Sequence, residues 1–92
     1  MGEQCSAKLT INNKYGMHAR PATDFAQSAM EFKSDIRVLA GPEDADGKSV
    51  MELMMLAATK GTVIEVVCKG EDAEQALDHL ASLVNRGFDE EE

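Results

Sequence analysis

The sequence predicts an α+β fold of two layers in the order β-α-β-β-α-β-α, with helices on one face of a mostly antiparallel sheet. Three observations predict it. Apolar and polar residues alternate in short segments, which is the period of a half-buried strand. Between them lie segments with apolar residues three and four apart, the period of a helix face. Clusters of Gly, Pro, Asp and Asn separate the two kinds, so helices interleave with strands. The 92 residues suit one domain spanning 1–92 with a single modest core.

Cys5, Ala7, Leu9 and Ile11 alternate with Ser6, Lys8 and Thr10, giving a first strand over Cys5 to Ile11. Asn12 to Gly16 is a polar turn. Apolar residues at 22, 25, 26, 29 and 32 predict a helix that starts between His18 and Pro21 and ends by Lys33. Pro21 suits the first turn, where its missing N–H is not needed. Ile36, Val38 and Ala40 alternate with Asp35, Arg37 and Leu39 in a second strand. Gly41-Pro42-Glu43-Asp44 is turn chemistry, and Ala45 to Lys48 form a short third strand. Ser49 opens a short helix, with Glu52 at capping-box spacing. Val50 to Ala58 is apolar, and Gly61 closes the segment. Thr62 to Cys68, rich in β-branched residues, is the fourth strand. Asp72 with Gln75 caps the last helix, whose apolar face is Ala73, Ala76, Leu77, Leu80, Leu83 and Val84. Gly87 stops it, and Asp89 to Glu92 are read as a solvated acidic tail.

Charge excludes one class of function. Lys and Arg number 9 against 17 Asp and Glu, a net charge of −8. A nucleic-acid footprint needs a basic excess, so that partner is not expected. No window approaches the ~18 apolar residues of a membrane span. The start lacks a secretory pattern, so the cytoplasm is expected, with Cys5 and Cys68 reduced. These cysteines and the histidines His18 and His79 show no metal-ligand spacing, and no cofactor is implied. Met1-Gly2-Glu3-Gln4-Cys5-Ser6 fits a myristoylation pattern, but Cys5 sits where a strand begins. Gly41 to Ser49 imitates a P-loop and misses it by one residue between the glycines, so the turn reading stands.

The chemistry concentrates in Gly16-Met17-His18-Ala19-Arg20-Pro21-Ala22-Thr23. A turn glycine leads into a histidine at the start of a helix, where backbone N–H groups lack intrahelical acceptors. That end also carries partial positive charge, which makes it an anion site. Its field favours a neutral, nucleophilic imidazole. After attack on a phosphoryl donor, the same N–H groups and Arg20 are placed to receive phosphate oxygens. His79 lies off the apolar stripe of its helix and reads as a solvated residue.

Gly16 to Thr23 resembles the active-site motif of the HPr family, the histidine phosphocarriers of the phosphoenolpyruvate-dependent phosphotransferase system. The resemblance extends from about Ala7 to Asp89 and includes Ser34-Asp35-Ile36, Gly47-Lys48-Ser49-Val50-Met51 and Lys60-Gly61-Thr62. The 31-residue interval from His18 to Ser49 also fits. The ending Leu83 to Asp89 and the acidic residues after it resemble the nitrogen-branch paralogue NPr. The resemblance implies an open-faced β-sandwich, four antiparallel strands under three helices. It implies that Nδ1 of His18 accepts a phosphoryl group from enzyme I and passes it to an enzyme II A protein. Arg20 would steady the phosphate, with Ala19 and Pro21 supporting it. The chain would be a stoichiometric carrier, monomeric, rather than a turnover enzyme.

Ser49 has two readings, helix cap and regulatory phosphorylation site. The second is implied by HPr proteins whose matching serine is modified by an HPr kinase/phosphorylase. Met51, Met54 and Met55 are too many for a short helix to bury on one face. With Met17 and Lys14 they are expected to form a partner surface, since methionine suits surfaces that meet several partners. Lys14, Arg20, Lys48, Lys60 and Arg86 are candidates to surround the site. The alternative to a carrier is a non-catalytic regulatory module that binds proteins through the Met-rich helix, 49–58.

Overall fold

A computed structural model describes residues 3–90. Its elements run β1 (Glu3–Thr10), α1 (Ala19–Ala29), β2 (Asp35–Ala40), β3 (Glu43–Asp46), α2 (Val50–Met55), β4 (Val63–Gly70) and α3 (Ala73–Asn85), followed by a 3-10 turn over Gly87–Asp89. The strands form one sheet in the order β1-β4-β2-β3, every neighbouring pair antiparallel. Register explains the covered face. Ala7 lies opposite Val66, Val66 opposite Val38 and Val38 opposite Ala45, an apolar row across all four strands. Cys5, Cys68 and Ile36 form the next row. Onto this face pack Phe25, Ala26 and Ala29 of α1, Leu53 of α2, and Ala76, Leu80 and Val84 of α3. The opposite face carries Lys8 opposite Glu65 and an ion pair between Arg37 and Asp44 at 2.9 Å. The expected α+β architecture is thus the observed one.

Several details differ from expectation. The third strand begins at Glu43, because Gly41 (φ 59) and Pro42 alone make the hairpin turn. Helix α1 stops at Ala29, four residues short of Lys33. Helix α2 ends by Leu56, and Ala57 (φ 52), rather than Gly61, takes the left-handed residue after it. Half of the Ser49–Glu52 box forms. Ser49 Oγ accepts from the Glu52 N–H at 3.2 Å, while the Glu52 carboxylate accepts from the Asp46 N–H instead. Cys5 and Cys68 face one another across β1 and β4 as free thiols; burial pushes the Cys68 thiol up to about 11. Met1 and Gly2 of the myristoylation pattern lie outside the described residues. Among the described residues no helix is long and apolar enough to cross a membrane.

Asp72 also departs from the local reading. It precedes α3 but makes no side-chain cap there. Its carboxylate instead accepts from Ser34 Oγ and from the Lys33 and Ser34 N–H groups. The Ser34 hydroxyl, then the Lys33 N–H, hold its pKa below the ordinary aspartate value. A depressed carboxylate contributes stability above its unfolded pKa, and that contribution disappears as pH falls through the folded one. The difference in thermal midpoint between wild type and Asp72→Asn should be constant near neutrality. It should shrink as pH falls below about 4. A difference that does not change down to acid pH would mean the carboxylate charge is irrelevant.

Candidate functional site

The turn before α1 is locked by packing. Gly16 is buried at φ 68, and a Cβ there would collide with the Ala58 carbonyl and lie 2.8 Å from Thr59 Cα. Next to it the Met17 N–H donates to the Ala58 oxygen at 2.8 Å. Ile11 N–H donates to Thr62 O at 2.9 Å, and Gly61 N–H returns to Ile11 O at 2.7 Å. The segment before β4 therefore clamps both ends of the loop that delivers His18.

His18 is the N-cap of α1, in extended backbone (φ −80, ψ −173), and its carbonyl accepts the Ala22 N–H at 3.0 Å. Ala19 and Arg20, the first two helical residues, keep N–H groups without intrahelical acceptors. Pro21, the third, has none to leave unsatisfied. The ring of His18 remains accessible, with 39% of its side chain exposed. The ring of Tyr15 meets it edge-on, centroids 6.0 Å apart, and Lys14 Nζ lies 5.3 Å from the Tyr15 ring centroid.

One group in this site was missed in the sequence. Glu90 Oε2 lies 3.1 Å and Oε1 3.2 Å from His18 Nε2. Asn13 Nδ2 donates to Glu90 Oε1 and to the Gly16 carbonyl, both at 2.8 Å. Burial raises the Glu90 pKa. The hydrogen bonds from Asn13 and His18 and the attraction of His18 and Arg20 outweigh it, leaving the carboxyl below the ordinary glutamate value. The solvated-tail reading is corrected here, since Glu90 has 15% of its side chain exposed. Phe88 causes this. It is buried in the core at φ 58, and Gly87 (φ 64) turns the chain toward Asn12. Glu91 and Glu92 lie outside the described residues.

The other expected residues divide. Ala19 and Arg20 are exposed beside His18, whereas Pro21 is buried under the first turn. Met17 is 3% exposed and belongs to the core, so it is removed from the partner surface. Its side chain packs in the core while its N–H donates to the Ala58 carbonyl. Met51, Met54 and Met55 are exposed and line an apolar groove with Val50. Lys48 donates to the Phe32 carbonyl and Arg86 pairs with Asp89, so neither offers a free cation to the site. His79 is exposed against Phe32, ring centroids 5.7 Å apart.

Comparison with known proteins places this geometry. The family model PTS-HPr, described as the PTS HPr component phosphorylation site, matches residues 5–86. The chain belongs to the PTS-HPr family. Phosphocarrier protein HPr of Neisseria meningitidis serogroup A is 46% identical over 84 residues, covering 91% of this chain and 94% of that protein. Phosphocarrier protein NPr of Shewanella violacea is 43% identical, covering 90% and 91%. The crystal structure of HPr-C-His from Thermoanaerobacter tengcongensis superposes with a TM-score of 0.91 at 36% identity, over 96% of this chain and 99% of that one. HPr-family membership thus agrees with the resemblance carried by Gly16 to Thr23. HPr and NPr proteins both stand among the relatives.

Proposed function

We propose that this HPr-family chain is a phosphocarrier, one domain over 1–92, that captures a phosphoryl group on His18 from phospho-enzyme I and delivers it to an enzyme II A protein. The observation that carries the reading is an accessible imidazole at the N-cap of α1, beside the Ala19 and Arg20 N–H groups, which have no intrahelical acceptor. A phosphate on that ring meets the positive end of a helix and the Arg20 guanidinium, with Pro21 stiffening the turn. Each charge–dipole contact contributes about 0.3–1 kcal/mol, up to ~2 in favourable geometry. Such contacts orient and modestly stabilise a group already bonded to the ring, without trapping it. The reaction takes place in the cytoplasm, where enzyme I works, and needs no metal or cofactor held by the carrier itself.

Docking uses Met51, Met54 and Met55 with Lys14 at the edge of the site. These exposed methionines lie on α2, which packs against α1, so an apolar surface adjoins the helix that carries His18. Unbranched methionines adapt to two different partners in turn. Ser49, half-buried at the start of α2, is the regulatory site, its modifier an HPr kinase/phosphorylase. The carrier works as a monomer. Incubation with phosphoenolpyruvate, Mg²⁺ and enzyme I should give an acid-labile, base-stable phosphoryl adduct that discharges to an enzyme II A protein. An unlabelled product would remove the assignment.

Arg20 separates transfer from folding. It is exposed, and exposed substitutions cost little stability, so Arg20→Ala should move the thermal midpoint by less than about 4 °C. Transfer from enzyme I should slow by on the order of 10–100-fold, as when one charged donor to phosphate is lost. Loss of rate that merely tracks loss of folded protein would refute a phosphate-binding role.

A further inference from the structure

We propose that Glu90 is a positioning residue for phosphoryl transfer: its carboxylate holds the Nε2–H of His18 and so leaves Nδ1 as the nitrogen that attacks phosphorus. The proposal rests on the carrier reading of His18 and adds to it the cause of the choice between two ring nitrogens.

The geometry supplies the steps. An ionised carboxylate only accepts hydrogen bonds. Both Glu90 oxygens lie within 3.2 Å of Nε2, so that nitrogen carries the hydrogen. In a neutral imidazole the other nitrogen then has no hydrogen and presents its lone pair. The carboxylate is itself held. Asn13, 1% exposed, uses its amide to bridge Glu90 Oε1 and the carbonyl of Gly16. The reverse orientation of that amide would set its oxygen against two acceptors, so the direction of donation is determined. The turn that delivers His18 and the segment that carries Glu90 are thus joined through one buried side chain.

The transfer then balances. The Nδ1 lone pair forms a bond to phosphorus as the bond from phosphorus to the donor breaks, its electron pair leaving with the donor. Nε2 keeps its hydrogen throughout. The ring becomes a phosphoimidazolium, and its positive charge faces the Glu90 carboxylate. On delivery, the electrons of the phosphorus–nitrogen bond return to Nδ1. Other charged and titratable groups around the ring are Arg20, placed for the phosphate, Tyr15, edge-on, and Lys14 beyond Tyr15. Arg86 and Asp89 on the terminal segment pair with each other.

The test uses a donor that needs no partner protein. Full-length wild type, Glu90→Gln and Glu90→Ala are treated with phosphoramidate, and NMR of histidine-labelled protein reports which nitrogen carries phosphate. Wild type and Glu90→Gln, which keeps an acceptor for Nε2–H, should give the Nδ1 product. Glu90→Ala should yield a substantial Nε2 product. With enzyme I as donor, Glu90→Ala should slow capture by on the order of tenfold, the effect of one charged hydrogen bond. The same isomer ratio in wild type and Glu90→Ala overturns the proposal. Should His18 accept nothing from enzyme I yet show the isomer switch with phosphoramidate, the carrier reading fails and the role of Glu90 survives.

Discussion

His18→Ala should abolish the acid-labile adduct formed with phosphoenolpyruvate, Mg²⁺ and enzyme I, leaving label at background. The substitution removes the one imidazole at the start of α1, and among the described residues the neighbouring side chains are occupied otherwise. Tyr15 meets the ring by its edge, and Glu90 is a hydrogen-bonded carboxylate. The fold should persist, because 39% of the His18 side chain is exposed and the residue contributes its backbone carbonyl, not its ring, to α1. A cost within about 1 kcal/mol is expected for such a site. His79→Ala is the matching control, as it removes the one other histidine. It should keep the label. Label that survives in His18→Ala and vanishes in His79→Ala would move the acceptor to α3 and end the assignment made here.

Gly16→Ala should be among the most destabilising single-methyl changes in the protein. Two costs combine. The residue sits at φ 68, where a Cβ is disfavoured, and that Cβ would run into backbone of the segment before β4, including Thr59 Cα at 2.8 Å. Backbone cannot swing aside as a side-chain tip can. A loss of about 2–4 kcal/mol is expected, or a fall of roughly 10–20 °C in the thermal midpoint. Gly41→Ala isolates the first cost. Gly41 has φ 59, yet a Cβ there meets nothing within 4 Å, so a loss of only about 1 kcal/mol is expected. Equal losses at the two positions would show that the collision is relieved without strain. Transfer activity of Gly16→Ala, measured on the folded fraction, should fall as well, because relief of the collision displaces the turn before His18.

Both predictions concern parts of the molecule that could be read locally. Gly16, His18 and Pro21 lie within six residues, and each states a backbone preference on its own. Alternation at Ile36 to Ala40 and the spacing at 22, 25, 26 and 29 likewise predict their elements, because side-chain direction repeats with a fixed period in strands and helices. Errors gathered where local signals compete. Asp72 has the form of a helix cap, yet Ser34 and Lys33 offered its carboxylate three donors from across the fold. Met17 resembled the exposed methionines of α2 in type, and tertiary packing of the turn before α1 against the segment before β4 placed it in the core.

Glu90 was illegible for a different reason. It stands 72 residues from His18, inside an acidic run whose composition predicts solvation. The contact exists because Phe88 is buried and Gly87 reverses the chain, and neither residue announces where a later carboxylate will land.

Order of elements, the face each presents to the core and the turn that delivers an imidazole to a helix end follow from residue types in short windows, since backbone preference and periodicity are local. Which carboxylate reaches that imidazole, and which methionines remain outside, were settled by packing among distant segments. There a buried anchor and a shared hydrogen bond outweigh whatever a residue prefers among its immediate neighbours.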